Sequence, residues 1–235
     1  MKVAIVTGGT SGMGEATARE LTKRGWQVAA MARTKADFQG DVAEDADCRR
    51  VAQAVLDKWG RIDALVNNAG TTKFVKHDDL EGLSADDILG IFRVNFVGPW
   101  QMIRACAPAL KASRGSIVNI SSVAAVLGTG SSVAYAASKA ALETMSLSLA
   151  RALGPEIRVN VVAPGYVKTP WQVSAHGQAG ADDLEQKYAS VAPLRTAVGA
   201  GDVAEAVAWL VEGASRITGD IIYVDAGMHI ASPRR

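Results

Sequence analysis

The chain has 235 residues, 49% of them apolar, and a formal charge of +1 from 25 basic and 24 acidic side chains. That length and apolar fraction suit one α/β core, so residues 1–235 are read as a single domain. The balanced charge, with no basic run or aromatic-interleaved patch, excludes an electrostatic nucleic-acid partner, and no stretch of about 18 apolar residues is present to span a membrane. The opening "MKVAIVTGG" has too short an apolar stretch for a signal peptide, which points to the cytoplasm. Cys48 and Cys106 have no ligand spacing and read as reduced and buried. The three histidines form no cluster, so no metal is expected.

In chain order, the first apolar run is "KVAIVT" (2–7), a buried strand by its composition. It ends in "TGGTSGMG" (7–14), where Gly8, Gly12 and Gly14 permit a tight turn into an amphipathic helix over 12–24. The spacing is GxxxGxG and not the GxGxxG dinucleotide fingerprint, so the turn alone fits a purely structural role too. A strand before it, a helix after it and the lack of a P-loop lysine make nucleotide binding the better reading. A second strand, "QVAAMA" (27–32), is followed after a short interval by "GDV" (40–42). That interval is too short for a crossover helix, and a loop is expected there.

Next comes an amphipathic stretch over 44–59 and a strand "DALVN" (63–67) that runs into "NNAG". The small residues Ala69 and Gly70 would let backbone lie against a flat ring or a ribose; an ordinary strand-end turn explains them equally well. A long helical stretch covers 84–112, with Pro99 and Pro108 expected to kink it or end it early. Asn95 is a lone polar residue on its apolar face, which more often marks a structural hydrogen-bonder than chemistry. The strand "GSIVNIS" (115–121) leads to Ser122, and the helix 132–153 carries "YAASK". A strand "IRVNVVA" (157–163), a segment 170–199, a helix 201–212 and a strand "DIIYV" (220–224) complete the pattern. Runs apolar on both faces, alternating with amphipathic helices, predict a Rossmann-type doubly wound parallel sheet of about seven strands. Ligands of such a sheet sit at the carboxyl ends of its strands, and each of these motifs falls at such an end.

Tyr135 and Lys139 are four residues apart on one helix and share a face. A nearby ammonium favours phenolate and would lower the tyrosine pKa from about 10 toward the working range of a general acid or base. Ser122, at the end of a neighbouring strand, would hydrogen-bond the same substrate oxygen. Taken singly, Ser122 reads as a turn residue and Lys139 as a surface charge; together, beside a nucleotide cleft, they read as chemistry.

These motifs, in this order, resemble the short-chain dehydrogenase/reductase family in its compact form. The resemblance covers the whole chain: TGxxxGxG at 7–14, "DV" at 41–42, NNAG at 67–70, Asn95, Ser122, YxxxK at 135–139, "PGYVKT" at 164–169 and "ITGDIIYVDAG" at 217–227. The shortened segment 33–41 departs from the usual pattern. The resemblance implies hydride transfer between NAD(P) and a ketone or secondary alcohol, with Tyr135 as acid or base and Lys139 tuning it and holding the ribose. It implies that Ser122 polarises the substrate oxygen and that Asn95 anchors a proton-relaying water. It also implies cofactor contacts from Gly8, Thr10, Ser11, Gly12, Met13 and Gly14, from Asp41 and Val42 beside the adenine, from Asn68, Ala69 and Gly70 along the cofactor, and from Pro164, Gly165, Val167 and Thr169 at the nicotinamide end.

Cofactor choice is read from the second strand, which ends in Ala32 where an acid would favour NAD, followed at once by Arg33. A guanidinium holds a phosphate through two hydrogen bonds, so NADP(H) is expected over NAD(H), with Asp37 and Asp41 as opposing charges. Residues 170–199, with Trp171, His176, Leu184, Tyr188 and Leu194 and with Gly177 and Gly180 as hinges, are expected to form a substrate lid; His176 reads as a lid-surface residue. Phe74, Val126 and Leu127 would extend an apolar pocket for a small hydrophobic carbonyl or alcohol. Two other functions stay open: a 3-oxoacyl-carrier-protein reductase, for which Arg104, Lys111 and Arg114 would need to form a basic patch, and a non-catalytic nucleotide-binding regulator. The stripe Leu142, Met145, Leu149 and Leu153 on the helix 132–153 points to a homo-oligomer, a tetramer by family resemblance.

Overall fold

The structure is a computed structural model that describes residues 1–231. Seven parallel strands form its sheet: β1 (Val3–Thr7), β2 (Gln27–Ala32), β3 (Phe38–Gln39), β4 (Ala64–Asn67), β5 (Ser116–Ile120), β6 (Arg158–Pro164) and β7 (Ile221–Val224). Their order is β3-β2-β1-β4-β5-β6-β7, so the direction of winding reverses between β1 and β4. The helices are α1 (Gly12–Lys23), α2 (Asp45–Trp59), α3 (Ala85–Phe92), α4 (Gly98–Ser113), α5 (Ala124–Leu127), α6 (Val133–Leu153), α7 (Pro170–Val191) and α8 (Ala200–Glu212).

Each central strand is apolar on both faces because it feeds two cores. Along one face, Ile5 registers beside Leu65, Leu65 beside Ile117, and Ile117 beside Val159. This row packs under Val51 and Val55 of α2 and Met102 and Leu110 of α4. On the other face Val6, Val66 and Val118 pack under Leu21 of α1 and Val203, Val207 and Leu210 of α8. A sheet covered on both sides has no solvent face to carry polar residues, which is why its strands read as unbroken apolar runs.

Two features differ from the sequence reading. The segment after β2 forms a further two-residue strand, β3, paired through Met31–Phe38 and Ala32–Gln39 and anchored by Phe38 against Trp59 at 5.6 Å. A strand of two residues has no period for a sequence pattern to display. The long helix 84–112 is interrupted, but not by its prolines. Residues Arg93–Val97 form a π turn in which the Gly98 N–H donates to the Arg93 carbonyl five residues back. Pro99 lies in the first turn of α4 and Pro108 inside it, and α4 continues through both to Ser113.

The stripe on α6 is covered by its own chain. Leu142 is buried, and Met145, Leu149 and Leu153 pack partly buried against the core shared with α2 and α4. The residues 170–199 are mostly helical: α7 runs over 170–191 and breaks at Gly177, whose φ of 70° and ψ of 169° suit only glycine. Gly180 stays within the helix.

Candidate active site

The carboxyl ends of β1 and β4 are tied together where the winding reverses. The Thr7 hydroxyl accepts the N–H groups of Asn68 and Ala69, both at 3.0 Å, and the Asn68 amide donates to the Thr7 carbonyl at 3.0 Å. The glycine turn fits against this knot only without side chains. A Cβ on Gly14 would stand 2.2 Å from the Gly8 carbonyl oxygen and 2.4 Å from Asn68 Nδ2. Ser11 is the N-cap of α1, so the N–H groups of the first helical turn face out of the turn without intrahelical acceptors, where a helix offers partial positive charge.

A cleft of about 410 Å³ runs over this turn, lined by Gly8, Thr10, Ser11, Gly12 and Met13. Arg33, Asp41 and Val42 form its outer end, and Asn68, Ala69, Gly70, Tyr135 and Lys139 its inner end. The Arg33 side chain is exposed there, while the Asp41 carboxylate accepts the Ala43 N–H at 2.9 Å. Val42 is fixed from behind, its carbonyl accepting Gln101 Nε2 at 2.7 Å.

A second cleft of about 610 Å³ adjoins the first. Phe74, Leu127, Trp171, His176, Leu184 and Tyr188 give it an apolar and aromatic wall, and Pro164, Gly165 and Val167 line this cleft and not the first. Val126 stands outside both and is 56% exposed. The two clefts share Met13, Ser121, Tyr135, Thr169 and Trp171. Lys139 lines the first alone and Ser122 the second alone, so the phenol of Tyr135 stands on their boundary.

The groups around that phenol are held from several elements. Lys139 on α6 is 4% exposed, donates to the Ile120 carbonyl at 2.8 Å, and lies 5.7 Å from the centroid of the Tyr135 ring. Asn95 sits on the π turn, fully buried. Its Oδ1 accepts the Thr71 N–H at 2.8 Å, and its Nδ2 donates to the Thr71 carbonyl and the Ser138 hydroxyl, both at 3.0 Å. Ser138 in turn donates to the Tyr135 carbonyl at 2.7 Å. Gly70 passes between these groups: a Cβ there would lie 3.5 Å from Asn95 Oδ1 and 3.7 Å from Lys139 Nζ. The Ser121 hydroxyl donates to Glu143 at 2.7 Å, fixing the end of β5 against α6.

The protonation states correct one sequence expectation. Burial pushes the Tyr135 phenol up to about 12, and the hydrogen bond from Ser122 pulls it down only in part. The expected depression by Lys139 does not prevail: burial governs the phenol, and it also brings Lys139 down to about 8, with the Glu143 carboxylate pulling it back up. Desolvation of the phenol outweighs the field of an ammonium whose nearest partner is a carbonyl. Tyr135 is therefore a protonated donor throughout the neutral range. Burial also raises both thiols, Cys48 and Cys106, to about 12.

Sequence reasoning overlooked Thr7, Ser121 and Ser138. Thr7 had a signal, a β-branched hydroxyl closing a buried strand; the two serines had none, because their partners lie on other elements or turns. Among the described residues, no cluster of His, Cys, Asp and Glu is arranged to hold a metal, and no helix is long and apolar enough to cross a membrane.

A close-approach glycine turn, unpaired helix N–H groups, small residues at Ala69 and Gly70 and an exposed guanidinium at the outer end all fit a dinucleotide with the reactive ring inward. Fold and site together define an oxidoreductase working with a nicotinamide dinucleotide. Residues 8–229 match the family model described as enoyl-(acyl carrier protein) reductase. The chain is 37% identical over 243 residues to a protein described as ketoacyl reductase 2 of the granaticin polyketide synthase of Streptomyces violaceoruber, covering 97% of this chain and 96% of that one. Among solved structures, the ligand-free aldohexose dehydrogenase of Thermoplasma acidophilum superposes with a TM-score of 0.93 at 31% identity, covering 100% of this chain and 96% of that one. The 3-ketoacyl-(acyl-carrier-protein) reductase of Brucella melitensis, solved with NADH, gives a TM-score of 0.87 at 29% identity over 97% and 98% of the two chains. The chain belongs to the short-chain dehydrogenase/reductase family.

Proposed function

We propose that the chain reduces a hydrophobic ketone to a secondary alcohol with NADPH, using Tyr135 as the general acid. The observation that carries this reading is the position of Tyr135 on the boundary of two clefts, with Lys139 on one side and Ser122 on the other. The nicotinamide supplies hydride when bound in the first cleft. Tyr135 donates its proton to the substrate oxygen, and the Ser122 hydroxyl donates a second hydrogen bond to that oxygen. Lys139 places its charge beside the phenol and the inner end of the first cleft. Asn95 acts through Thr71 and Ser138 as a positioning residue, steadying the Gly70 turn and the start of α6.

The second reading is a reductase of carrier-borne ketoacyl groups, as two of the similar proteins are named. The surface argues against it. Arg104 pairs with Asp45 and Lys111 with Glu156, and Lys111 and Arg114 lie at the end of α4 that leads into the start of β5, opposite the clefts. The lining of the second cleft itself carries Lys76 and no carboxylate, and Asp182 and Glu185 on α7 are paired with Lys168. An acidic carrier would find no basic patch of Arg104, Lys111 and Arg114 at the mouth of the clefts.

We read residues 170–199 as a lid over the one domain, hinged at Gly177 and latched by Lys168 to Asp182 and Glu185. Gly177→Pro is expected to change the KM for ketone several-fold more than the KM for cofactor; equal changes in both would remove the lid. We also infer a homo-oligomer in the cytoplasm, joined through Ile88 and Leu89 of α3, Val97 of the π turn and Trp100 of α4, which are exposed, and not through the α6 stripe. Light scattering should return a multiple of 24.5 kDa, and a monomer mass would refute assembly.

Tyr135→Phe keeps the ring and deletes the hydroxyl, so turnover should fall by about 10²–10⁴ while cofactor affinity stays within about twofold. Retention of a tenth of the activity would remove Tyr135 from the chemistry. For Lys139 the sign follows from its depressed pKa: the ammonium is present below about 8 and lost as pH rises through that value. Ketone reduction should therefore hold steady at neutral pH and decline above about 8, and a flat profile across that range would deny Lys139 an electrostatic role. Arg33→Ala should weaken NADPH by about 10- to 100-fold and NADH by much less, measured as kcat/KM for each cofactor. Equal weakening, or a parent that prefers NADH, would end the NADP assignment.

A further inference from the structure

Four aromatic rings run without a gap from the proton donor along the wall of the second cleft. The Tyr135 ring lies 6.1 Å from Trp171, Trp171 lies 6.0 Å from Phe74, and Phe74 meets His176 edge-on at 5.0 Å. These are separations at which ring quadrupoles and dispersion act together. The rings are not sealed in the core: Phe74 is 40% and Trp171 39% exposed, so both present open surface to the cleft. Tyr166 and Tyr188, also in its lining, stack face to face at 5.0 Å with an angle of 6° between their planes. The cleft also has aliphatic wall from Leu127, Val167 and Leu184, and the file of rings starting at the acid is the part of it matched to flat π systems.

We propose that the second cleft selects a flat aromatic or fused-ring ketone, with its rings along the Trp171–Phe74 wall and its carbonyl between Ser122 and Tyr135. This rests on the reductase reading, and adds to it the shape and chemistry of the substrate. A cleft of about 610 Å³ holds a two- or three-ring molecule. An unbranched acyl chain would bury apolar surface on these rings but would lack the added stabilisation of ring against ring.

The test compares acetonaphthone with methyl hexyl ketone as substrates for the full chain with NADPH or NADH. It adds Phe74→Leu, which keeps apolar bulk and deletes the ring. The expected result is a kcat/KM at least about tenfold higher for acetonaphthone, and a fall of about fivefold or more in that ratio in Phe74→Leu. Binding is read separately from turnover by quenching of tryptophan fluorescence with naphthylethanol, an effect that should largely vanish in Trp171→Phe. Equal efficiency on the two ketones, or a ratio unmoved by Phe74→Leu, overturns the substrate class and leaves the reductase standing. Quenching through Trp171 with no cofactor oxidised by any ketone supports the ring-binding cleft and overturns the reductase. Neither quenching nor turnover overturns both. A strong preference for an acetoacetyl carrier-protein thioester over both ketones overturns the inference in favour of a carrier-borne substrate.

Discussion

Parallel pairing is the constraint from which this site descends. When β1, β4, β5 and β6 all run the same way, every turn that follows a strand lies on one edge, whatever the spacing of those turns in sequence. Reversal of winding between β1 and β4 keeps helices from closing that edge at the centre. The crevice so opened must still be held to a width that fits backbone against ligand. Here the knot between Thr7 and Asn68 does this, and the missing side chain of Gly14 permits it, since a single methyl would collide with a carbonyl at 2.2 Å. The order of the strands supplies the place, and these few atoms supply its dimensions.

What could be read from sequence was whatever depends on neighbours along the chain. Apolar runs named six of the seven strands, and the glycine turn, the NNAG turn and Ser122 all fell at strand ends, as the alternation of elements required. The pairing of Tyr135 with Lys139 was equally legible, since four residues on one helix fix a shared face. What could not be read depends on contacts across the fold. Pro99 and Pro108 were conspicuous in the helix 84–112, yet the break lies at Arg93–Val97, where no residue type announces a π turn. The strand β3 was too short to have a period. The stripe on α6 looked unpartnered until the core beneath it, with Ile117, Ile157 and Val159, was in place. The direction of the Tyr135 shift was misjudged for the same reason: Lys139 was visible four residues away, while the burial that outweighs it was not.

Substrate and cofactor sides are joined by one short piece of backbone. Between the end of β6 and the start of α7, Pro164, Gly165 and Val167 face the second cleft, Lys168 reaches the carboxylates of α7, and Thr169 lines both clefts. Trp171 follows closely and packs against the ring of Tyr135. The start of α7 thus adjoins the inner end of the first cleft directly, with no element between them.

The π turn at Arg93–Val97 contains one residue more than an α-helical turn would need over the same rise. In the arithmetic of insertion and deletion, it is a single extra residue lodged between α3 and α4. Its removal would leave an unbroken α-helix, and each residue beyond the cut would turn by about 100° relative to those before it. Either Asn95 would swing away from Thr71 and Ser138, or the buried face of α4 with Met102, Cys106 and Leu110 would swing away from the sheet. The helix cannot keep both in place with one residue fewer, so the length of this segment is under tighter restraint than most of the side chains along it.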